Sequence, residues 1–202
     1  MTKVTTDLGI SLDGFIAGPR QSLEHPLGEG GDRLHRWMFE QPEDNASEIA
    51  AIVEAKAFIM GRNMFAPVRG EWDGDWRGWW GEDPPDHAPV FVLTHYPREP
   101  LVMQGGTTFT FVTDGVESAL EQARAAAGDA SIAVAGGADT VRQFLRAGLI
   151  DELRLHTAPI LLGEGERIFD EVGNLTLEPL ETTGNSLVTH VKYRVTYPST
   201  TQ

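Results

Sequence analysis

The sequence predicts a single α/β domain built on a mostly parallel sheet. Short apolar runs rich in β-branched residues, typical of buried strands, alternate with segments of helical periodicity as far as Gly148. Beyond Gly148 strands dominate, and Leu175–Thr183 and Ser186–Tyr197 predict a terminal hairpin. This order indicates parallel strands with crossover helices and an antiparallel end. No linker, repeat or low-complexity tract divides the 202 residues, so we expect one domain over residues 1–202.

The individual elements follow from local pattern. Besides the hairpin, strands are expected at Lys3–Leu12, Phe15–Ala17, Ala57–Met60, Val90–Leu93, Thr108–Val112, Ile132–Ala135 and Glu152–Ala158. Helices are expected at Leu34–Glu40, Asn45–Ala55, Val116–Ala127 and between Gly137 and Gly148. Asn45 with Glu48, and Asp114 with Glu117, have the spacing of capping boxes.

A long segment, Pro67–Pro89, contains Trp72, Trp76, Trp79 and Trp80. Connections of this length without predicted secondary structure are uncommon unless they serve as a lid, a binding wall or an interface. The alternative is that the tryptophans only fasten the loop to the domain. The sequence leaves both interpretations open.

Composition excludes several classes of function. With 16 basic and 30 acidic residues the net charge is −14, so we expect neither nucleic acid nor a membrane as a partner. Cysteine is absent, which excludes disulfides and cysteine nucleophiles. Scattered histidines without metal-ligand spacing predict no metal site, and no G-x-S-x-G elbow is present. The N-terminus enters a strand pattern without a signal sequence, which predicts a cytoplasmic location.

The most informative stretch is Gly136-Gly137, which lies between a buried strand and a helix. Two residues without side chains let a phosphate approach the backbone, and the helix that follows directs free N–H groups at the same point. The alternative is a tight turn with no ligand. The three-glycine G-x-G-x-x-G fingerprint is absent, so a dinucleotide bound here would use a fold other than the Rossmann fold.

Two other predicted strands end in a similar way. Gly61-Arg62 follows one and Thr94-His95 follows another. Ligands of open α/β sheets bind outside the carboxyl ends of parallel strands. The three strand ends together therefore favour a nucleotide site more strongly than any one of them alone.

The order of these pieces resembles the dihydrofolate reductase fold. More narrowly, it resembles the C-terminal reductase domain of the bacterial riboflavin-biosynthesis deaminase/reductase and its free-standing relatives. The matching stretches are Ser11-Leu-Asp-Gly14, Met60-Gly-Arg62, Leu93-Thr94, Ala135-Gly-Gly-Ala138, Gly148-Leu-Ile-Asp-Glu-Leu153 and Pro159-Ile-Leu-Leu-Gly163. The resemblance implies an NADPH-dependent reductase with an eight-stranded sheet, a cis peptide at Gly136–Gly137 and a homodimer formed through the C-terminal strands.

The same resemblance implies roles for individual residues on the cofactor side. The nicotinamide would lie along the segment from Ile10 to Ala17. The phosphates would be held by Gly61, Arg62, Asn63, Gly136, Gly137, Ala138, Asp139 and Thr140. The adenosine 2′-phosphate would approach Thr94 and His95, with Arg98 as a further candidate.

The substrate side departs from the riboflavin enzyme. Asp7 stands where that enzyme usually has Lys, and Ala135 where it usually has Glu, which puts reduction of the phosphoribosylamino-pyrimidine in doubt. We predict a small heterocycle or a related carbonyl or imine as substrate. Its predicted contacts are Ser11, Phe15, His35 and Trp37.

The proton donor is less defined. Asp13 and Asp32 are the candidates, with water as an alternative. Asp32 also suits a helix N-cap and Asp13 a turn, while His35 and His95 also suit surface positions. Two other functions stay open: a nucleotide-binding sensor without turnover, and a reductase that uses flavin.

Overall fold

In the computed structural model, which describes residues 2–66, 70–72 and 75–198, a nine-stranded mixed sheet forms the centre of the molecule. The strands are, in chain order, β1 (Val4–Ser11), β2 (Phe15–Ala17), β3 (Ala57–Gly61), β4 (Pro89–Leu93), β5 (Leu101–Val102), β6 (Thr108–Val112), β7 (Ile132–Gly136), β8 (Glu152–Ala158), β9 (Glu166–Arg167), β10 (Thr176–Gly184) and β11 (Thr189–Thr196). The order across the sheet is β10-β11-β8-β1-β7-β3-β4-β6-β5.

Strand direction divides the sheet into a parallel centre and antiparallel edges. Strands β8, β1, β7, β3, β4 and β6 run parallel. Strands β11 and β10 continue antiparallel at one edge, and β5 lies antiparallel to β6 at the other. The predicted fold class is confirmed, with one strand more than the eight expected. The additional strand β5 is two residues long, too short to show a sequence period, and β2 pairs with β9 in a separate ribbon.

The helices are α1 (Arg36–Glu40), α2 (Ala46–Ile52), α3 (Arg62–Phe65), α4 (Val116–Ala127) and α5 (Ala138–Arg146), with 3₁₀ helices at Gly31–His35 and Gln104–Gly106. The predicted Leu34 helix is thus a 3₁₀ turn continued by α1, and α2 ends before Ala55. No helix in the described ranges combines the length and apolar character that a membrane span needs.

The helix boundaries lie next to glycines, and the predicted capping boxes do not form. Helix α5 ends just before Gly148, as predicted, where a left-handed φ of 69° suits a residue without a side chain. Helix α4 follows Gly115, not an Asp114 cap, and Asn45 precedes α2 without capping it by its side chain. Both capping-box predictions were therefore wrong in mechanism, although a helix starts near each.

Each face of the sheet carries its own apolar core. Helices α4 and α5 cover one face, where alternate residues of β1 meet the helices; this core includes Val4, Leu8, Ile10, Ile59, Val116, Leu120, Val141, Phe144 and Leu145. The other face carries Phe58, Met60, Val90, Val92 and Phe109, against which Phe65, Trp72, Trp76 and Trp80 pack.

The tryptophan-rich segment is fastened to this second face. Trp76 Nε1 donates a hydrogen bond to the Phe65 carbonyl at 2.7 Å, and the ring of Trp80 stacks on Phe109 at 6.1 Å. Residues 67–69, 73 and 74 of the segment lie outside the described residues. For Trp76 and Trp80 the packing role is the one the contacts support.

Candidate functional site

The predicted strand ends meet at one edge of the parallel sheet. Strand β3 lies between β7 and β4, with Met60 paired to Gly136 and Gly61 paired to Leu93. The segments after these strands therefore emerge side by side. The structure brings together the Gly61, Thr94 and Gly136 regions, which are far apart in sequence, at the edge where ligands of such sheets bind.

Gly137 leaves an open notch in this edge. Among the residues that the structure describes, no heavy atom beyond the immediate chain neighbours of Gly137 lies within 4 Å of the position that a Cβ on it would take. The peptide between Gly136 and Gly137 is cis, as the family resemblance implied. The Gly137 carbonyl accepts the first helical hydrogen bond of α5, from Val141 N at 3.1 Å. The N–H groups of the first turn, Ala138 to Thr140, have no carbonyl within the helix to bond and lie beside the notch.

Gly61 is a glycine for a different reason. A Cβ on Gly61 would collide with Thr140 Oγ1 and would lie 3.7 Å from Gly137 N. The close packing of β3 on the start of α5 therefore requires a residue without a side chain. Gly61 keeps the main chain of the two segments together, while Gly137 provides the free space.

Two arginines flank the indole of Trp72 beside this edge. The guanidinium carbon of Arg62 is 3.4 Å from the centre of the Trp72 ring, and that of Arg98 is 4.9 Å away. Trp72 Nε1 donates to the Tyr96 carbonyl at 2.9 Å, which fixes the indole. Arg62 Nη1 donates to the Gly70 carbonyl at 2.8 Å.

Part of the donor capacity of this arginine pair is unused. Arg62 Nε and Arg98 Nη1 are buried and have no hydrogen-bond partner among the residues that the structure describes. Burial, and then the charge of Arg98, lower the pKa of Arg62. Two close cations with free N–H groups are the arrangement that a phosphate would stabilise.

The other predicted cofactor contacts are less well placed. Thr94 is buried, and its hydroxyl accepts a hydrogen bond from Tyr96 N at 3.1 Å. His95 and Asn63 are exposed. The carboxylate of Asp139 accepts a hydrogen bond from Gln143 at 2.6 Å, so it is engaged within α5. Ile10 and Ala17 are buried at 5% and 6% exposure.

Asp13 acts as a clamp between two loops. Its carboxylate accepts hydrogen bonds from Leu162 N at 3.1 Å, from Gly163 N at 2.7 Å and from Ser11 Oγ. The Ser11 bond, with support from the two backbone bonds, lowers the pKa of Asp13 to about 2. A carboxyl group that is ionised at neutral pH does not fit the predicted role of proton donor. Ser11 also accepts a bond from Phe15 N at 2.9 Å and is buried, so its hydroxyl belongs to the same clamp.

Asp32 occupies neither of the predicted positions. It is exposed in the first turn of the 3₁₀ helix, whose N-cap is Gly30. The interpretation of Asp32 as an N-cap was therefore wrong. No hydrogen bond of its carboxylate links it to the strand ends in the described part of the chain.

Three of the predicted substrate contacts are packed into the protein. Trp37 is 1% exposed and lies 4.9 Å from the His156 ring and 4.8 Å from the His190 ring. His35 Nε2 lies 3.1 Å from the point that a Cβ on Gly9 would occupy, and burial lowers the pKa of His35. The ring of Phe15 is buried under the guanidinium of Arg167 at 4.1 Å.

These positions give Trp37 and Phe15 a packing role in the described conformation. His35 lies on the inner side of its helix, so the alternative of a surface position was wrong. No group of three or more His, Asp or Glu residues in the described ranges is arranged to hold a metal ion. Sequence reasoning did not identify His156, His190 or the indole of Trp72 as parts of polar clusters.

The chain matches the family model of the RibD C-terminal domain over residues 2–189. The Bacillus subtilis (strain 168) protein YyaP, which is uncharacterized, is 23% identical over 180 residues, covering 84% of this chain and 81% of YyaP. A Shewanella sp. PV-4 protein described as a riboflavin biosynthesis protein has a TM-score of 0.66 at 24% identity, covering 97% of this chain and all of that one.

More distant solved structures share the fold. One is the Thermotoga maritima diaminohydroxyphosphoribosylaminopyrimidine deaminase/5-amino-6-(5-phosphoribosylamino)uracil reductase, with 17% identity and a TM-score of 0.58. That comparison covers 96% of this chain and 56% of the larger protein. The Saccharomyces cerevisiae riboflavin biosynthesis reductase Rib7 has a TM-score of 0.58 at 13% identity, with 97% and 89% covered.

Proposed function

Because the chain belongs to the RibD C-terminal domain family, we propose that it is an NADPH-dependent reductase. Its reaction would be hydride transfer to a C=N or C=O bond of a small pteridine-like or pyrimidine-like molecule. The relationship to riboflavin-biosynthesis reductases suggests an oxidoreductase of that kind. The observation that carries the proposal is the open notch at Gly137, which lies at the carboxyl edge of the sheet beside two arginines with unused donors.

The residues present fit a dinucleotide phosphate. The diphosphate would lie over Gly136 and Gly137, where main-chain N–H groups and the helix dipole of α5 favour an anion. Arg62 and Arg98 would bind the 2′-phosphate, because their free N–H groups and mutual repulsion favour a doubly charged anion between or beside them. That phosphate is the group that distinguishes NADPH from NADH.

The bound cofactor would supply the hydride, and the chain would supply placement and a site that excludes water. The clamp of Asp13 on residues 162 and 163 would hold the turn after β1 in place beside the nicotinamide. Asp7 and Ala135 stand where the riboflavin enzyme usually has Lys and Glu. This difference supports an acceptor other than the phosphoribosylamino-pyrimidine itself.

The test is a titration with NADPH followed by a panel of heterocyclic acceptors. The panel includes 5-amino-6-(5-phosphoribosylamino)uracil and dihydropteridines, with loss of the dihydronicotinamide absorption band as the readout. Saturable binding with oxidation by one class of acceptor is the expected result. Absence of NADPH binding to the folded protein would overturn the proposal.

A nucleotide-binding sensor is the second candidate. Its support is that Trp37 is buried and that neither Asp13 nor Asp32 is placed as a proton donor. Tight NADPH binding without oxidation by any member of the panel would favour the sensor. A cytoplasmic location stays a prediction from the sequence.

We also propose a homodimer formed through the strands at the β10 edge. Strand β10 is exposed along most of its length and pairs with β11 alone in the described chain. Leu180 on this strand is 40% exposed. Strand β8, in contrast, lies inside the sheet between β11 and β1 with Leu153 fully buried, so it offers no free strand edge.

A further inference from the structure

The guanidinium of Arg167 lies over the turn that follows β1. Arg167 on β9 is the register partner of Phe15 on β2, and its guanidinium carbon is 4.1 Å from the centre of the Phe15 ring. Its Nη1 is 3.1 Å from the point that a Cβ on Gly14 would occupy. The cation therefore lies along the main chain of residues 14 and 15, in the segment after the carboxyl end of β1.

Arg142 joins the same residue to the start of α5. Arg142 Nη1 donates a hydrogen bond to the Arg167 carbonyl at 2.6 Å, and Arg142 Nη2 is 3.4 Å from Asp139 Oδ1 in the first turn of the helix. Because side chains of a helix incline toward its N-terminus, Arg142 makes this contact on the side of the first turn. Arg167 is thus held between α5, whose first N–H groups lie beside the Gly137 notch, and the segment of residues 14 and 15.

The packing of Ile168 fixes the main chain at this position. Ile168 is fully buried and belongs to the same apolar core as Val141 and Phe144 of α5. Neighbouring residues of an extended chain point to opposite sides, so Arg167 points away from that core and is exposed. The main chain that carries Arg167 is therefore fixed relative to α5, while its guanidinium is accessible to a ligand.

The charge of Arg167 is not used within the protein. In the described ranges no carboxylate forms an ion pair with it and no side-chain hydrogen bond takes its donors; its contact is the face of the Phe15 ring. Arg20, by contrast, is paired with both Glu29 and Glu164. A guanidinium that is held against an aromatic ring with its N–H donors open is suited to bind an anion.

The order of strands places Arg167 and the arginine pair on opposite sides of the notch. The notch follows β7, which lies between β1 and β3 in the sheet, and β4 comes next after β3. Arg167 covers the segment after β1, whereas Arg62 follows β3 and Arg98 follows β4. At about 4.8 Å per strand, β1 and β4 are about 14 Å apart. Cations therefore stand on both sides of the Gly137 position.

We propose that Arg167 binds the phosphate on the nicotinamide side of the cofactor diphosphate. The inference rests on the proposed function, in which the diphosphate lies over Gly136 and Gly137. There the 2′-phosphate is assigned to Arg62 and Arg98 on the β3–β4 side, so the nicotinamide end extends toward β1 and the Arg167 guanidinium. Arg167 meets a phosphate that NADPH and NADH share, whereas the arginine pair selects NADPH.

Binding measurements with four ligands test the assignment. Arg167→Met keeps an unbranched apolar side chain over Phe15 and removes the guanidinium. We expect the Kd values of NADPH, NADH and ADP-ribose to rise by a similar factor, about tenfold, because each contains the nicotinamide-side phosphate. We expect the Kd of 2′,5′-ADP to stay unchanged, because that compound has the 2′-phosphate and the adenosine-side phosphate alone. Isothermal titration calorimetry gives all four values.

Two further variants separate binding from packing. Arg167→Lys keeps a positive charge at the site, so we expect it to recover part of the affinity that Arg167→Met loses. Arg146→Met makes the same substitution at an exposed position at the other end of α5 and should bind all four ligands as the unaltered protein does. Circular dichroism checks the fold of each variant. If Arg167→Met does not fold, Arg167→Gln takes its place with the same expectations.

Three results would overturn the inference. The first is unchanged affinity of the folded Arg167→Met variant for NADH and ADP-ribose. The second is a loss confined to NADPH and NADH with ADP-ribose unaffected, which would mean that Arg167 acts on the nicotinamide through residues 14 and 15. The third is an equal loss for 2′,5′-ADP, which would place Arg167 at the adenosine end of the cofactor.

The same binding data separate the Arg167 contact from the proposed function. If the unaltered protein binds these ligands and Arg167→Met binds them equally well, the contact is wrong and the reductase proposal stands. If the unaltered protein binds none of the four, the reductase proposal and the contact are both wrong. If it binds NADPH but reduces no acceptor, the reductase proposal fails and the measured affinities still decide the contact.

Discussion

At the residue scale, Gly61 and Gly137 have different roles: Gly61 allows close packing of the main chain, and Gly137 leaves free space. The space beside Gly61 is filled by Thr140, whereas no atom of the described residues fills the space beside Gly137. Gly137 has a φ of −72°, which any residue can adopt, so its backbone does not require glycine. Their substitutions should therefore have different consequences.

Gly137→Val should weaken NADPH binding by well over tenfold while the protein stays folded. The added side chain would occupy the space proposed for the diphosphate without meeting protein atoms. Fluorescence titration gives the Kd, and circular dichroism checks the fold. Gly61→Ala is the contrasting variant, because its Cβ would strike Thr140 and lower the melting temperature. Unchanged NADPH affinity in folded Gly137→Val would remove the notch from the binding site.

Arg98→Ala should weaken NADPH binding about tenfold or more and leave NADH binding nearly unchanged. Arg98 holds a buried guanidinium N–H without a partner, which is proposed to meet the 2′-phosphate. Isothermal titration with both cofactors gives the ratio of affinities. Arg146→Ala removes the same charge from an exposed position at the end of α5 and serves as control. Equal loss for both cofactors would argue against a 2′-phosphate contact.

The layer of α1, β8 and β11 shows at the element scale what packing demands of polar groups. Its two buried imidazoles, His156 and His190, are hydrogen-bonded to each other, and His190 is also hydrogen-bonded to Asn45. Asn45 is thereby engaged in tertiary bonding, which explains why its side chain does not cap α2. The capping pattern predicted from sequence does not form because the Asn45 side chain bonds instead to residues distant in the chain, among them His190.

This layer should make the protein sensitive to mild acid. The pKa of His190 is lowered from 6.5 to about 4, so the unfolded chain binds a proton more readily than the folded protein between these values. Stability is complete above pH 6.5 and is lost as the pH falls toward 4, by up to about 3 kcal/mol from this group. The lowered pKa of His35 acts in the same direction.

Urea unfolding across this pH range measures the effect. His190→Gln keeps a donor toward Asn45 without a titrating ring, so we expect lower stability near pH 7 but a flatter dependence on pH. An equal slope in the variant and the unaltered protein would assign the acid sensitivity to other groups.

Much of the fold was predictable from sequence because its signals are local. The strands that end at Gly61, Leu93 and Gly136 are short apolar runs followed by polar or glycine residues, and parallel topology makes their ends meet. The His156–His190 pair was not predictable, since it joins residues 34 positions apart and depends on the register of β8 with β11. The position of Trp72 between two arginines likewise depends on the path of a long loop.

On the scale of the whole molecule, the exposed β10 edge bears on assembly. Pro179 and the irregular pairing beside it interrupt a regular ladder, and Glu178 and Glu181 add charge, so strand-to-strand addition is disfavoured at this edge. The proposed dimer would then use side-chain packing, in which exposed Leu180 takes part.

Leu180→Glu should convert the proposed dimer to monomer, because an apolar contact would be replaced by a charge. Sedimentation velocity at several protein concentrations measures the change. Val102→Glu, on β5 at the opposite edge of the sheet and 72% exposed, is the matched control. A mass that is the same in both variants as in the unaltered protein would exclude this edge as the contact.

The emptiness beside Gly137 has a broader consequence for how the protein could be altered. Because main-chain atoms and the beginning of one helix define that edge, few side chains need to stay constant for it to persist. Coenzyme affinity could therefore persist while side chains elsewhere in the fold change.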